Sequence, residues 1–154
     1  APIAQLDGVS LARDFYVDGA PEGAPQAPPN MPTRPPDHMT DSYTSPQVAL
    51  IYRMLGGRSD IHWDPTSARA QGFDRPIMHG LCTYGHACHA ILRASCDYQP
   101  ERLSAMGARF SAPVYPGERL QTALWYEGAH VRFETRAAER NVVVLSEGSA
   151  TLHQ

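Results

Sequence analysis

From His79 to about Ser95 the chain reads HGLCTYGHACHAILRAS. It has no proline there, and apolar positions recur at Leu81, Tyr84, Cys88, Ile91 and Leu92, which predicts one long helix. After Pro100 the text changes to strand-like runs, Ala105 to Val114, Leu120 to Tyr126, His130 to Ala137 and Val142 to Thr151, with turn signals at Tyr115-Pro116-Gly117 and Glu127-Gly128. Consecutive strands on short turns pair antiparallel. Neither a one-faced sheet nor a lone helix can hide its apolar side by itself, so the two must pack together. The expected fold class is α+β, an antiparallel sheet wrapped around a long central helix.

The upstream half reads differently. Val9 to Val17 (VSLARDFYV) has the branched and aromatic content of a strand, and Pro21 to Pro36 holds seven of the 14 prolines. That stretch predicts an extended linker or strap rather than a ladder. Residues 1–44 are therefore set apart as an N-terminal strand plus strap, and 45–154 as one domain, since 154 residues close a single core. Two short helices are expected inside it. One spans Ser45 to Leu55, with Val48, Ala49, Ile51, Tyr52 and Leu55 as its apolar face. The other follows Asp64-Pro65 and stops at Gly72, with Asp64 as N-cap.

A net charge of -3 without any Lys/Arg run argues against a nucleic-acid partner. No apolar stretch is long enough to span a bilayer and no secretory leader pattern is seen, so no membrane partner is expected. Cys82, Cys88 and Cys96 form no Cys-x-x-Cys pair; three reduced thiols suit a cytoplasmic setting. Cys82, His86 and His89 lie at i, i+4 and i+7, but the ends of that series are about 10 Å apart along a helix axis, so no metal site is expected.

The chemistry-bearing segment is Tyr52 to Gly85, YRMLGGRSDIHWDPTSARAQGFDRPIMHGLCTYG, followed by ARFSAPVYPGERLQTALWYEG from Ala108 to Gly128. Together they resemble the MaoC-like (R)-specific enoyl-CoA hydratase and dehydratase family over nearly everything after the Pro-rich stretch. The resemblance implies a hotdog fold whose units pair, as a homodimer or with another hotdog domain, to make sites near their interface. It further implies an acyl thioester on CoA or a carrier protein as substrate, no cofactor, and addition of water across a trans-2-enoyl thioester to give the 3R-hydroxyacyl product, or the reverse. The opening DGVSLARDFYVDG is similar to the last strand of a preceding hotdog, which implies that the chain is the second half of a two-hotdog protein.

In the family an Asp, and a His five residues later, hold the water. The His matches His62, whose imidazole can take and give a proton near neutral pH. The Asp falls on Gly57, and the pattern's Asn and Pro on Ser59 and Asp60. A replacement acid is then needed. Asp60, two residues before His62, would share its side if the segment is extended, with Ser59 the other candidate. Gly80 offers a backbone N–H at the helix start for the thioester carbonyl, His79 sits beside it, and Gly57 borders the same site; these three are expected to bind substrate. Loss of the Asp leaves two further readings open. One is a changed reaction in the same pocket, as isomerase, cyclase or thioesterase; the other is a non-catalytic hotdog that pairs with an active one.

Overall fold

The computed structural model describes residues 30–153. The strand expected at Val9 to Val17 lies outside the described residues. Five strands form one antiparallel sheet in the order β1-β3-β4-β5-β2: β1 His38–Tyr43, β2 Leu103–Phe110, β3 Arg119–Glu127, β4 His130–Ala137 and β5 Val142–Leu152. Three helices precede β2: α1 Val48–Met54, α2 Pro65–Ala70 and α3 Gly80–Ser95. This is the α+β hotdog arrangement, with the sheet wrapped on α3.

Alternation decides which strand residues enter the core. In β3, Leu120, Thr122 and Leu124 are buried on the helix side, and Thr122 pairs in register with Thr135 of β4. One apolar cluster joins Ala87 and Ile91 of α3 to Leu124, Val131, Phe133 and Leu145; a second, near the start of α3, joins Met78 to Val114, Leu120, Ala137 and Val144. Phe133 and Ile91 are wholly buried, each contributing about 1.5–3 kcal/mol by removal from water. Between the clusters the Thr122 and Thr135 hydroxyls bond to each other at 3.0 Å, so neither is buried without a partner.

The turn entering β3 follows from its residues. Pro116 and Gly117 occupy the centre of a turn closed by the Glu118 N–H on the Tyr115 carbonyl at 3.1 Å, and Gly117 has φ +94°, a conformation that favours glycine. The Glu118 carboxylate, buried beneath this turn, accepts from the Tyr115 N–H and from the Arg140 guanidinium.

Three expectations need correction. Residues 38–43, counted with the strap, form β1. Its sequence HMTDSY buries only Thr40, so it carries almost no apolar alternation, and it joins the sheet through its backbone pairing with β3. The face of α3 is also rotated. Thr83, Ala87, Ala90 and Ile91 are its buried residues, while Leu81 is 70% exposed. Small side chains let the helix lie close to the sheet, while Tyr84, Cys88 and Leu92 are half-buried at its flanks. Finally, α1 begins at Val48 rather than beside Ser45, and of its expected apolar face only Ala49 is buried; Ile51 and Leu55 are exposed.

Candidate active site

His62 closes a 3-10 turn, Asp60–His62, immediately before α2. That helix is fixed by its cap: the Asp64 carboxylate accepts from the backbone N–H groups of Thr66 (3.0 Å) and Ser67 (3.1 Å) and from the Ser67 hydroxyl (2.8 Å). These bonds, the Ser67 hydroxyl first, hold the Asp64 carboxyl below the usual carboxylate range. The segment before α3 is tied on both sides. The Ile77 N–H donates to the Ile61 carbonyl at 3.2 Å, and the Met78 N–H to the Val114 carbonyl at 2.7 Å. The 61–62 segment, the start of α3 and the 110–114 segment therefore meet around one cleft.

The cleft has a volume of about 290 Å³ and is walled mainly by Phe73, Ile77, Met78, Phe110 and Val114, with His62, Gly80, Thr83 and Ser111 as its polar points. His62 Nδ1 lies 2.9 Å from the Ile77 carbonyl oxygen. A carbonyl only accepts, so Nδ1 carries the hydrogen and, in the neutral ring, Nε2 keeps its lone pair for a substrate or water. Gly80 is the first residue of α3. The N–H groups of Cys82 and Thr83 turn back to the His79 carbonyl, while among the described residues those of Gly80 and Leu81 have no acceptor. Unpaired donors at the positive end of a 16-residue helix suit an oxygen gaining negative charge.

His79 does not face the cleft. Its ring stacks on His62, centroids 3.7 Å apart, and Tyr52 covers its other side at 4.0 Å. Burial, and secondarily the neighbouring His62, hold the His79 imidazole below its ordinary value, so it stays neutral at pH 7. Its Nδ1 is buried without a hydrogen-bond partner. His79 thus lies against the face of His62 and outside the cleft lining, rather than in the substrate-facing position expected.

Tyr52 is also what stands at the absent carboxylate. A Cβ at Gly57 would lie 3.0 Å from Tyr52 Cδ1 and 3.4 Å from Cε1, so the ring occupies the space into which a side chain at 57 would grow. Gly57 borders Tyr52 and not the cleft. Tyr84 and Tyr115 are engaged elsewhere: the Tyr84 hydroxyl donates to the Met106 carbonyl at 2.6 Å, and Tyr115 lies against the Arg75 and Arg140 guanidiniums.

The structure does not bring Asp60 or Ser59 to His62. In a 3-10 turn residues i and i+2 point about 120° apart, whereas the shared side required an extended segment. Both residues are exposed, and the Asp60 side chain forms no hydrogen bond or ion pair with a described residue. Sequence reasoning named His62 and Gly80, which both line the cleft, but did not name Tyr52, which covers His79, or Phe110, which lines the cleft. The available signal for Tyr52 was an aromatic residue five positions before a glycine in the motif.

Cys82, His86 and His89 do not converge. His86 Nδ1 lies 3.1 Å from the Ser42 hydroxyl and His89 packs on Tyr98; no cluster of His, Cys, Asp or Glu suited to a metal ion occurs among the described residues. A larger open basin of about 660 Å³ lies over the 115–118 turn. Of its charged residues Glu118 pairs with Arg140, Glu139 pairs with Arg119 and Arg75 lies over the Tyr115 ring, and no imidazole lines it. Among the described residues no helix is long and apolar enough to cross a membrane.

Comparison with known proteins agrees with the resemblance in the motif. The family model for the MaoC like domain matches residues 26–148. The chain is 44% identical over 103 residues to a peroxisomal enoyl-CoA hydratase 2 of Arabidopsis thaliana, covering 67% of this chain and 33% of that protein. It is 47% identical over 102 residues to an enoyl-CoA hydratase of Mycobacterium tuberculosis, covering 66% and 36%. The chain thus spans about a third of the length of these relatives. A crystal structure of a MaoC-like dehydratase from Phytophthora capsici superposes with a TM-score of 0.81 at 36% identity, covering 85% of this chain and 45% of that one.

Proposed function

Because the chain belongs to the MaoC-like dehydratase family, we propose that it interconverts a trans-2-enoyl thioester and the 3R-hydroxyacyl thioester by adding or removing water, with His62 as the proton-handling group. The observation that carries this reading is the pairing of a tautomer-fixed His62, its Nε2 free, with the unpaired N–H groups at the start of α3 in one apolar cleft. In the hydration direction Nε2 takes a proton from water as its oxygen bonds to C3. The double-bond electrons move onto the thioester oxygen, where the Gly80 N–H receives the charge. The imidazolium then returns the proton to C2. One imidazole serves as base and then acid, so the step balances without a second group. No cofactor enters it.

The substrate handle is CoA or a carrier protein, as the relatives named enoyl-CoA hydratases suggest. The free thiols of Cys82, Cys88 and Cys96 support a reducing, cytoplasmic setting. Pairing with a second hotdog, a copy of this chain or another domain, is supported by the open edge strand β2, by Leu81, and by Leu50, Ile51, Met54 and Leu55 of α1, all left exposed. Light scattering at micromolar concentration that gave a monomer in the presence of every hotdog partner tried would remove that part of the reading.

A second reading rests on Tyr52 filling the place beside Gly57. A site stripped of its carboxylate suits an isomerase, cyclase or thioesterase, or a non-catalytic subunit. The test is loss of the conjugated enoyl-thioester absorbance with crotonyl-CoA and a longer trans-2-enoyl-CoA. Hydration that falls about 10²–10⁴-fold in His62→Ala supports the proposal. Release of free CoA without hydration, or no turnover by a folded, paired protein, supports the second.

A further inference from the structure

We propose that His79 is a positioning residue for the reaction: its ring lies against the face of His62 and holds that imidazole in the plane that aims Nε2 into the cleft. This rests on the proposed acyl-thioester site, because it takes His62 Nε2 as the atom that handles the proton.

His62 is held by hydrogen bonding along one edge only. Its Nδ1 donates to the Ile77 carbonyl at 2.9 Å, and no other hydrogen bond from the ring reaches a described residue. One such bond fixes the tautomer but leaves the ring able to swing about that edge, carrying Nε2 with it. The restraint still needed is a face. His79 supplies it: the ring centroids are 3.7 Å apart and the planes differ by 28°, so the His62 ring cannot turn toward His79 without collision. Tyr52 bounds the far side of His79 at 4.0 Å.

No hydrogen bond accounts for the place of the His79 ring. Its Nδ1 is buried and unpartnered, the ring bonds to no described residue, and it is absent from the cleft lining. What it offers is a flat surface rather than a donor or an acceptor. Burial, with the neighbouring His62 second, keeps it neutral at pH 7, so it sets no like charge against the imidazolium that His62 becomes during the step. Its backbone meanwhile fixes the other chemical point. As N-cap of α3, His79 accepts at its carbonyl from the N–H groups of Cys82 (3.0 Å) and Thr83 (3.3 Å), and the preceding Met78 N–H is tied to the Val114 carbonyl at 2.7 Å. The peptide unit that carries the Gly80 N–H therefore begins at the residue whose ring faces His62. One residue sets the spacing between the proton-handling atom and the carbonyl donor.

The experiment measures kcat and KM for hydration of crotonyl-CoA in the full chain and in His79→Leu, His79→Met and His79→Phe, with thermal unfolding to confirm that each is folded. Leucine and methionine fill the volume without a flat face; phenylalanine keeps one. A misplacement of about 1 Å costs about 10²-fold, so kcat is expected to fall about 10²-fold in His79→Leu and His79→Met with KM little changed, and His79→Phe is expected to recover most of that loss. The NMR signals of the His62 imidazole give a second readout that a purely structural role of His79 would not move: a single Nδ1–H tautomer in wild type and His79→Phe, and an exchanging mixture in the other two. An unchanged kcat in the folded variants, a fall in His79→Phe as large as in His79→Leu, or a change confined to KM overturns the proposal while leaving the hydratase reading intact. If wild type hydrates no enoyl-CoA, the hydratase reading fails instead. The His62 signals then decide, and a single tautomer retained in His79→Leu and His79→Met overturns the positioning role.

Discussion

Substituting Gly57→Asp should convert a one-imidazole site into a carboxylate–imidazole site, and the structure sets what this requires. Gly57 is not among the residues of positive φ, so its backbone accepts an L side chain without strain. The obstacle is the Tyr52 ring, 3.0 Å from the new Cβ at its closest atom, which must give by several tenths of an ångström. It can do so. Tyr52 is 40% exposed, and α1 is held in the core mainly through Ala49. Loss of the Tyr52–His79 stack costs about 0.5–1.5 kcal/mol, while replacing glycine where the backbone allows returns about 0.4–1 kcal/mol through the unfolded chain. Net stability should therefore move by about 1 kcal/mol or less. Against this small change, a second acid–base group is worth about 10²–10⁴ in rate, or about 3–5 kcal/mol of barrier. The assay is enoyl-thioester hydration at fixed substrate, with thermal unfolding as the check on folding. A folded Gly57→Asp protein no faster than wild type, with Gly57→Asp/Tyr52→Ala no faster either, would refute the reasoning that a carboxylate at position 57 can displace the Tyr52 ring and serve His62.

Asp60→Asn should leave turnover unchanged, because the carboxylate points away from His62 into solvent; a loss comparable with that of His62→Ala would show that the 3-10 turn rearranges on binding. Arg140→Ala strands the buried Glu118 carboxylate and should destabilise by about 2–3 kcal/mol in urea titrations, below the range for a sealed pair because the arginine is 31% exposed. For His79, the folded imidazole is held below its ordinary value of about 6.5. Between the folded value and 6.5 the unfolded chain binds a proton that the folded chain does not. Its contribution is thus full above about pH 6.5 and is lost as the pH falls. Urea midpoints should drop between pH 7.5 and 5.5, and His79→Phe should make that slope shallower, with His86, also held low by burial, retaining part of it.

Much of this was legible in the chain because it is local. The proline-free run to Ser95, the Asp64-Pro65 cap, the Tyr115-Pro116-Gly117 turn and the last three strands each depend on neighbours a few residues away and form close to where the pattern put them, whereas the run expected at Ala105 to Val114 forms β2 at Leu103–Phe110. The motif likewise marked His62 and Gly80. What escaped depends on contacts across the fold. Strand β1 has no apolar pattern and exists because β3 offers it an edge to pair with. The buried face of α3 is chosen by how closely Ala87 and Ala90 let it approach the sheet, a distance no helical period encodes. At the site, sequence could show that a carboxylate was missing at Gly57, but the occupant of the space is decided by where α1 sets Tyr52 against His79. Sequence spacing placed Asp60 beside His62 only under an assumed extended backbone; the 3-10 turn, fixed by the bonds that tie 61–62 to Ile77, turned it to solvent.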